Sequence, residues 1–288
     1  SNGLLWIGTD QGLNRYDGLK NKVFRSNPFN TKSLSGNRIW YIESYNQDTL
    51  IVISDNAIHL FTPKNYTFQR YEIQSRPTSL YREGSDFWIT TLDQGIYRFD
   101  SSKTLHHYRF DPLNPFSIST SEFKSQIGIK FASDSAGKIW LATDKGLCSI
   151  DKETNFVSRY FKSNTGGKLL SDKINTVFFH EEKLYIGTEN GLNYLNSDNM
   201  KFSMEPELDG ISIINFDIVN DELVIFTNNG VLKKNKDSIT SFNKNSNHNL
   251  SLSANTTLFW SQGEDKMYLG EDLVRLGSRV QDVHLINK

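Results

Sequence analysis

Seven copies of one short pattern recur along this chain, and that self-similarity limits its fold more than any other feature. The copies read LLWIGTDQGLNRYD from Leu4, LIVISDNAIHLF from Leu50, FWITTLDQGIYRFD from Phe87, IWLATDKGLCSID from Ile139, LYIGTENGLNYL from Leu184, LVIFTNNGVLKK from Leu223 and MYLGEDLVRL from Met267. Their anchors are Trp6, Ile51, Trp88, Trp140, Tyr185, Val224 and Tyr268, spaced by 45, 37, 52, 45, 39 and 44 residues. That is the period of four-stranded propeller blades, not of helical repeats.

Local chemistry agrees with the period. Each copy alternates at period 2, is rich in β-branched and aromatic residues, and turns at Asp-Gln-Gly, Asp-Lys-Gly, Glu-Asn-Gly or Asn-Asn-Gly. Gly12, Gly95, Gly146, Gly191 and Gly230 are the expected hairpin glycines at positive φ, where alanine should cost on the order of 1 kcal/mol or more. Ala57 in the second copy and the shortened seventh copy show the motif degrading. Apolar runs ahead of most copies, at 37–44, 127–133, 174–179, 213–219 and 257–261, are expected inner strands; more polar runs after them, at 22–25, 68–73, 104–110, 156–161 and 239–242, are expected outer strands. One such sheet cannot hide both faces from water, so the blades must stack, with Trp6, Trp88 and Trp140 packed between neighbours.

The expected architecture is therefore all-β: a seven-bladed β-propeller of four-stranded antiparallel blades, one domain over residues 1–288. The chain opens at Ser1 and Asn2 and enters a strand at once, so it reads as a piece of a longer protein whose first blade lacks an inner strand. The run 280–286 is favoured as the strand that closes the ring between the termini. It could equally be the outer strand of the seventh blade, or the start of a following domain from about residue 278.

Composition excludes several function classes. Lys and Arg total 32 against 33 Asp and Glu, with no basic stripe, so nucleic acid is not an expected partner. No apolar run approaches the roughly 20 residues of a membrane span, so this piece is not expected to contact the membrane. The single Cys148 excludes an internal disulfide. The six histidines show no ligand spacing, and His106 and His107, adjacent in a strand, should point to opposite faces. No nucleophile elbow, phosphate loop or zinc signature is present. No catalytic residue, metal or cofactor is expected, and the piece is not read as an enzyme.

The stretch LWIGTDQGLNRYDG, from Leu5 to Gly18, resembles the two-component regulator propeller repeat found in the periplasmic sensor regions of hybrid two-component systems. The likeness is reinforced by NTKSLSGN at 30–37, PFSIST at 115–120, LLSD at 169–172 and LSLSA at 250–254, which match that family's Asn/Ser-Leu-Ser loop, and by the DSAG turn at 134–137. The resemblance covers nearly the whole chain and is weakest in copies six and seven. It implies one propeller of a sensor histidine kinase anchored in the inner membrane, facing the periplasm, with oligosaccharides as ligands. It also implies an adjacent propeller, a β-sandwich and a homodimer as partners. The repeat itself is structural and identifies the scaffold, not the ligand.

A binding site is expected where the hairpin turns and the loops 26–37, 109–125, 162–173 and 243–255 emerge. Arg38, Trp40, Asn175, Asn215 and Trp260 lie in or near inner strands, where side chains face either a channel or a neighbouring blade. If a sugar binds, Trp40 or Trp260 would stack on its ring and Arg38 would hold a carboxylate or sulfate. Two other classes stay open: a lyase of the streptogramin-inactivating propeller type, and a propeller that docks proteins without any small ligand.

Overall fold

The computed structural model describes residues 4–124, 130–196, 200–219, 222–235, 238–242, 259–262, 266–270 and 283–287, with side chains up to residue 240. The chain divides into two compact units, Ser1–Gln126 and Ile127–Lys288.

The first unit holds three antiparallel sheets. β1 (Leu5–Thr9), β2 (Gly12–Tyr16) and β3 (Asn21–Phe24) form one of three strands. β4 (Ile39–Asn46), β5 (Thr49–Ser54), β6 (Ala57–Thr62) and β7 (Thr67–Glu72) form the second; β8 (Pro77–Glu83), β9 (Asp86–Thr91), β10 (Ile96–Phe99) and β11 (Leu105–Tyr108) form the third. In the second unit, β12 (Phe131–Ser133), β13 (Ile139–Thr143), β14 (Gly146–Ile150) and β15 (Val157–Tyr160) form a fourth sheet. β16 (Ile174–His180), β17 (Lys183–Thr188), β18 (Gly191–Asn196) and β19 (Lys201–Met204) form a fifth; β20 (Ile213–Val219), β21 (Glu222–Thr227), β22 (Gly230–Lys234) and β23 (Ile239–Phe242) form a sixth. Beyond these six, the backbone of β24 (Phe259–Gln262), β25 (Lys266–Gly270) and β26 (Val283–Asn287) pairs in the order β24-β25-β26. One turn of 3-10 helix, Pro206–Leu208, is the helical element among the described residues.

The first six sheets are meanders, because each strand pairs with its predecessor across a short connection. Period-2 alternation then sends successive side chains to opposite neighbours. In β5, Val52 enters a core with Leu13, Phe61 and Phe68, against which Trp6 of the first sheet packs, while Ile51 and Ile53 enter a core with Phe87 and Ile89 of the third. In β17, Leu184 and Ile186 meet Trp140 and Ala142 of the fourth sheet, while Tyr185 meets Phe216 and Ile225 of the sixth. Trp88 and Trp140 are fully buried, as packing residues should be.

The motif threonine has a repeated job. Thr9, Thr91, Thr143, Thr188 and Thr227 each donate Oγ1 to the carbonyl of the hairpin glycine, at 2.6–3.0 Å, and accept a turn N–H at about 3.1 Å. The Leu of the Asn/Ser-Leu-Ser loop is likewise a plug. Leu34 and Leu169 are buried in the cores, with Ile118 buried at the same place in its loop, while Ser33 and Ser117 knot the loop backbone beside two of them.

The structure differs from expectation in three places. β8 opens with a proline and carries Thr78, Ser79, Arg82 and Glu83, so it shows no apolar run, yet it is the inner strand of its sheet. β19 is a similarly polar outer strand. The run favoured for ring closure instead pairs as β26 with β25, Lys266 opposite Asn287 through Gly270 opposite Val283. It completes a sheet edge left open next to it in sequence, which leaves the sheet of β1 at three strands among the described residues.

His59 makes this fold sensitive to acid. It is fully buried in β6, with Nε2 3.1 Å from Ser35 Oγ and 3.2 Å from Ser54 Oγ, and Nδ1 has no partner among the described residues. Burial, helped by the Arg70 charge, lowers its pKa to about 3. Between pH 6.5 and 3 the unfolded chain therefore binds a proton that the folded chain refuses, so stability is full above pH 6.5 and falls as pH drops. The chain should be about 2 kcal/mol less stable at pH 5 than at pH 8 from this group alone. His107, also depressed by burial, adds in the same direction. Urea titrations at the two pH values check this, and His59→Gln should remove most of the difference.

Candidate binding site

The starts of the inner strands share one device. The pairing register slips between Ile39 and Tyr41, between Pro77 and Ser79, between Ile174 and Thr176, and between Ile213 and Asn215. Each slip is a β-bulge that frees one residue from the ladder and re-aims it: Trp40, Thr78, Asn175 and Ile214. The repeat therefore places four equivalent positions at one end of four inner strands.

In the first unit this brings Arg38 and Trp40 together with a residue that sequence reasoning missed. Trp40, half-buried, donates Nε1 to Asp55 Oδ1 at 2.6 Å, which fixes the indole. The exposed Arg38 guanidinium lies 5.5 Å from the ring centroid and that of Arg76 lies 5.0 Å from it, both within cation–π range. Arg76 stands two residues before bulged Thr78 as Arg38 stands two before bulged Trp40. Register was the signal that could have found it, but with β8 unseen there was no register to read. Burial pushes the neighbouring Tyr41 phenol up to about 12, against the pull of Arg76, so it remains a neutral hydroxyl.

In the second unit the equivalent residues bond to one another. Lys130 Nζ donates to the Asn175 carbonyl at 2.8 Å, Asn175 Nδ2 donates to the Ile213 carbonyl at 2.9 Å and toward Ser212 Oγ at 3.3 Å, and Thr176 Oγ1 bonds Asn215 Oδ1 at 3.1 Å. Asn215 is buried, so this line of side chains ties sheets together. Burial lowers the pKa of Lys130 to about 8, with Asp144 opposing. Trp260 falls in β24, and its side chain lies outside the described residues, as does the loop 243–255.

Among the described residues no reaction centre stands out. His59 pairs with Ser35 and Ser54, but it is buried and no carboxylate among the described residues orients it. His106 bonds Asp100 at 2.7 Å while His107 stacks on Tyr97 with centroids 4.0 Å apart, one on each face of β11. Among the described residues no three His, Cys, Asp or Glu side chains are grouped to hold a metal.

No family model and no curated protein matches the chain. Solved structures do. The extracellular domain of a protein assigned as a hybrid two-component system of B. thetaiotaomicron aligns with 94% of this chain at 18% identity and a TM-score of 0.63. This chain spans only 36% of that one. A virginiamycin B lyase from Staphylococcus aureus aligns with 94% of the chain, over 88% of its own, at 12% identity and a TM-score of 0.53. The Pan2 WD40 domain of Neurospora crassa aligns with 93%, over 82% of its own, at 9% and 0.53. At these identities the likeness is one of fold: an all-β chain of three- and four-stranded antiparallel sheets of the kind found in propellers.

Proposed function

We propose that this chain is one propeller of the extracellular sensing region of a hybrid two-component histidine kinase, facing the periplasm, and that it takes part in recognising oligosaccharides. The observation that carries the reading is the match along nearly the whole chain to an extracellular domain assigned to such a system. The lyase matches at a lower score, and the His106–Asp100 pair joins the outer strand β11 to the turn after β10. An indole held by Asp55 with cations beside it suits a sugar face better than it suits catalysis.

In this reading the sheet of β24–β26 is a seventh blade. Leu5 and Ile7 on one face of β1 are 56% and 42% exposed, unlike the same positions in later sheets, which marks that face as one a partner surface would cover. The neighbouring propeller and β-sandwich of the parent chain, and a second copy, are the partners that carry the signal, because a sensor must bias a downstream equilibrium.

Calorimetric titration of the 288-residue chain with a panel of neutral and acidic oligosaccharides tests the proposal. Saturable binding of at least one panel member is expected. Silence across the panel contradicts direct recognition and favours the docking reading, for which the rigid loops bearing Phe29 (98% exposed) and Leu113 (91%) are the natural surface.

A further inference from the structure

We propose that Arg38, Trp40 and Arg76 form a site for an oxyanion, a carboxylate or sulfate carried on a sugar. The site deepens the sensing reading and rests on it for its biological role, while its chemistry stands on the first unit alone.

What singles these two arginines out is that both reach one indole without a carboxylate partner; Arg109 also shows no ion pair among the described residues, but it lies beside Tyr97 and His107. Other arginines of the same unit have a carboxylate at hand: Arg15 with Asp17 at 3.6 Å, Arg70 with Glu72 at 3.5 Å, Arg82 with Glu43 at 3.8 Å and Arg98 with Asp86 at 2.7 Å. Arg25 gives its Nε to the Gln11 carbonyl. Arg38 and Arg76 have neither among the described residues, although both converge on one indole. Two cations brought to one ring repel, and the Nε of Arg76 is buried without an acceptor. The carboxylate bonded to the indole is Asp55, which accepts from Trp40 Nε1 at 2.6 Å and forms no ion pair with either arginine among the described residues. A guanidinium fork matches the two oxygens of a carboxylate or sulfate, and an oxyanion bound by the terminal nitrogens relieves the repulsion.

Placement is built into the repeat. Arg38 and Arg76 precede bulges at the same position of consecutive inner strands, and Trp40 is itself the bulged residue. The backbone around Arg76 is held by the Leu92 N–H, which donates to the Arg76 carbonyl at 2.9 Å. The site is thus anchored on two strands and not on a loose loop, which favours recognition of a fixed ligand geometry.

Calorimetry at low ionic strength tests the inference with four probes: inorganic sulfate, tetragalacturonate, a chondroitin sulfate tetrasaccharide and maltotetraose. At least one acidic sugar should bind, more weakly as salt rises, and Arg38→Gln and Arg76→Gln should each weaken it by about tenfold, while maltotetraose is indifferent to both. The uronate and sulfate arms distinguish the two sources of the oxyanion. Arg76→Gln removes a buried unmet donor, so its melting temperature should not fall; should it fail to fold, Arg76→Lys keeps the charge without the fork and should bind at an intermediate strength. Acidic probes that stay silent into the millimolar range, or that bind both glutamine variants as well as the parent, overturn the site. Maltotetraose binding with silent acidic probes would overturn the site and leave the sensing reading standing; silence from all four would count against both.

Discussion

Gly95→Ala should destabilise the chain by on the order of 4 kcal/mol, several times the cost of the same change at Gly84. Both glycines have positive φ, +80° at Gly95 and +60° at Gly84. A left-handed conformation alone costs alanine about 1–2 kcal/mol, and Gly84→Ala, whose added Cβ meets nothing within 4 Å, should show that and no more. At Gly95 the Cβ would stand 2.2 Å from the Tyr108 carbonyl oxygen. Relief requires β11 to move away from β10, breaking a ladder in which Ile96 faces Tyr108 and Phe99 faces Leu105. The displaced turn also carries the Thr91 clamp, whose Oγ1 and N–H both reach the Gly95 carbonyl. Urea unfolding of the two variants beside the parent measures the difference; equal costs would mean that the close approach is not present in solution.

Asp86→Ala should cost about 3–5 kcal/mol, because it strands a charge that the fold has already taken out of water. Asp86 Oδ2 accepts from Arg98 Nε at 2.7 Å, and the two side chains are only 11% and 12% exposed. Asp86 Oδ1 also takes the Ser101 N–H at 3.2 Å, so one carboxylate fastens β9 to the turn after β10. The Arg98 guanidinium lies 5.5 Å from the Trp88 centroid, which keeps it among aromatic rings with little water to recover. Asp86→Asn, which keeps the shape and an acceptor, should lose roughly half as much. Pairing Asp86→Leu with Arg98→Met should be less damaging than Asp86→Ala alone, since removing both charges removes the stranded one. Denaturation of the three variants gives the order, and a double variant worse than Asp86→Ala would contradict this account of the pair.

What the sequence revealed and what it hid follow one physical divide. The two middle strands of the second to sixth sheets are largely buried on both faces, as in β13 and β14 where every residue is buried, so they must be apolar and alternating and are easily read. The edge strands β8 and β19 are covered on less of their surface, tolerate Arg82, Glu83 and Lys201, and carry no comparable pattern. The hairpin glycines were legible because only glycine accepts a backbone φ of +80° to +138° without strain. Ala57 replaces glycine without entering that region. The candidate site was half legible. Arg38 and Trp40 stood out as residue types, whereas Arg76 depends on a register that its own strand concealed, and the burial of Asn215 depends on a partner, Thr176, in the preceding sheet.

Small-angle scattering of the isolated chain tests most directly whether these sheets form one ring that can act as a single sensing unit. One closed propeller of this length predicts a radius of gyration of about 19 Å and a single-lobed distance distribution. A value well above that, with two resolved lobes, would mean two separately folded bodies and would remove the ring on which the sensing proposal is built.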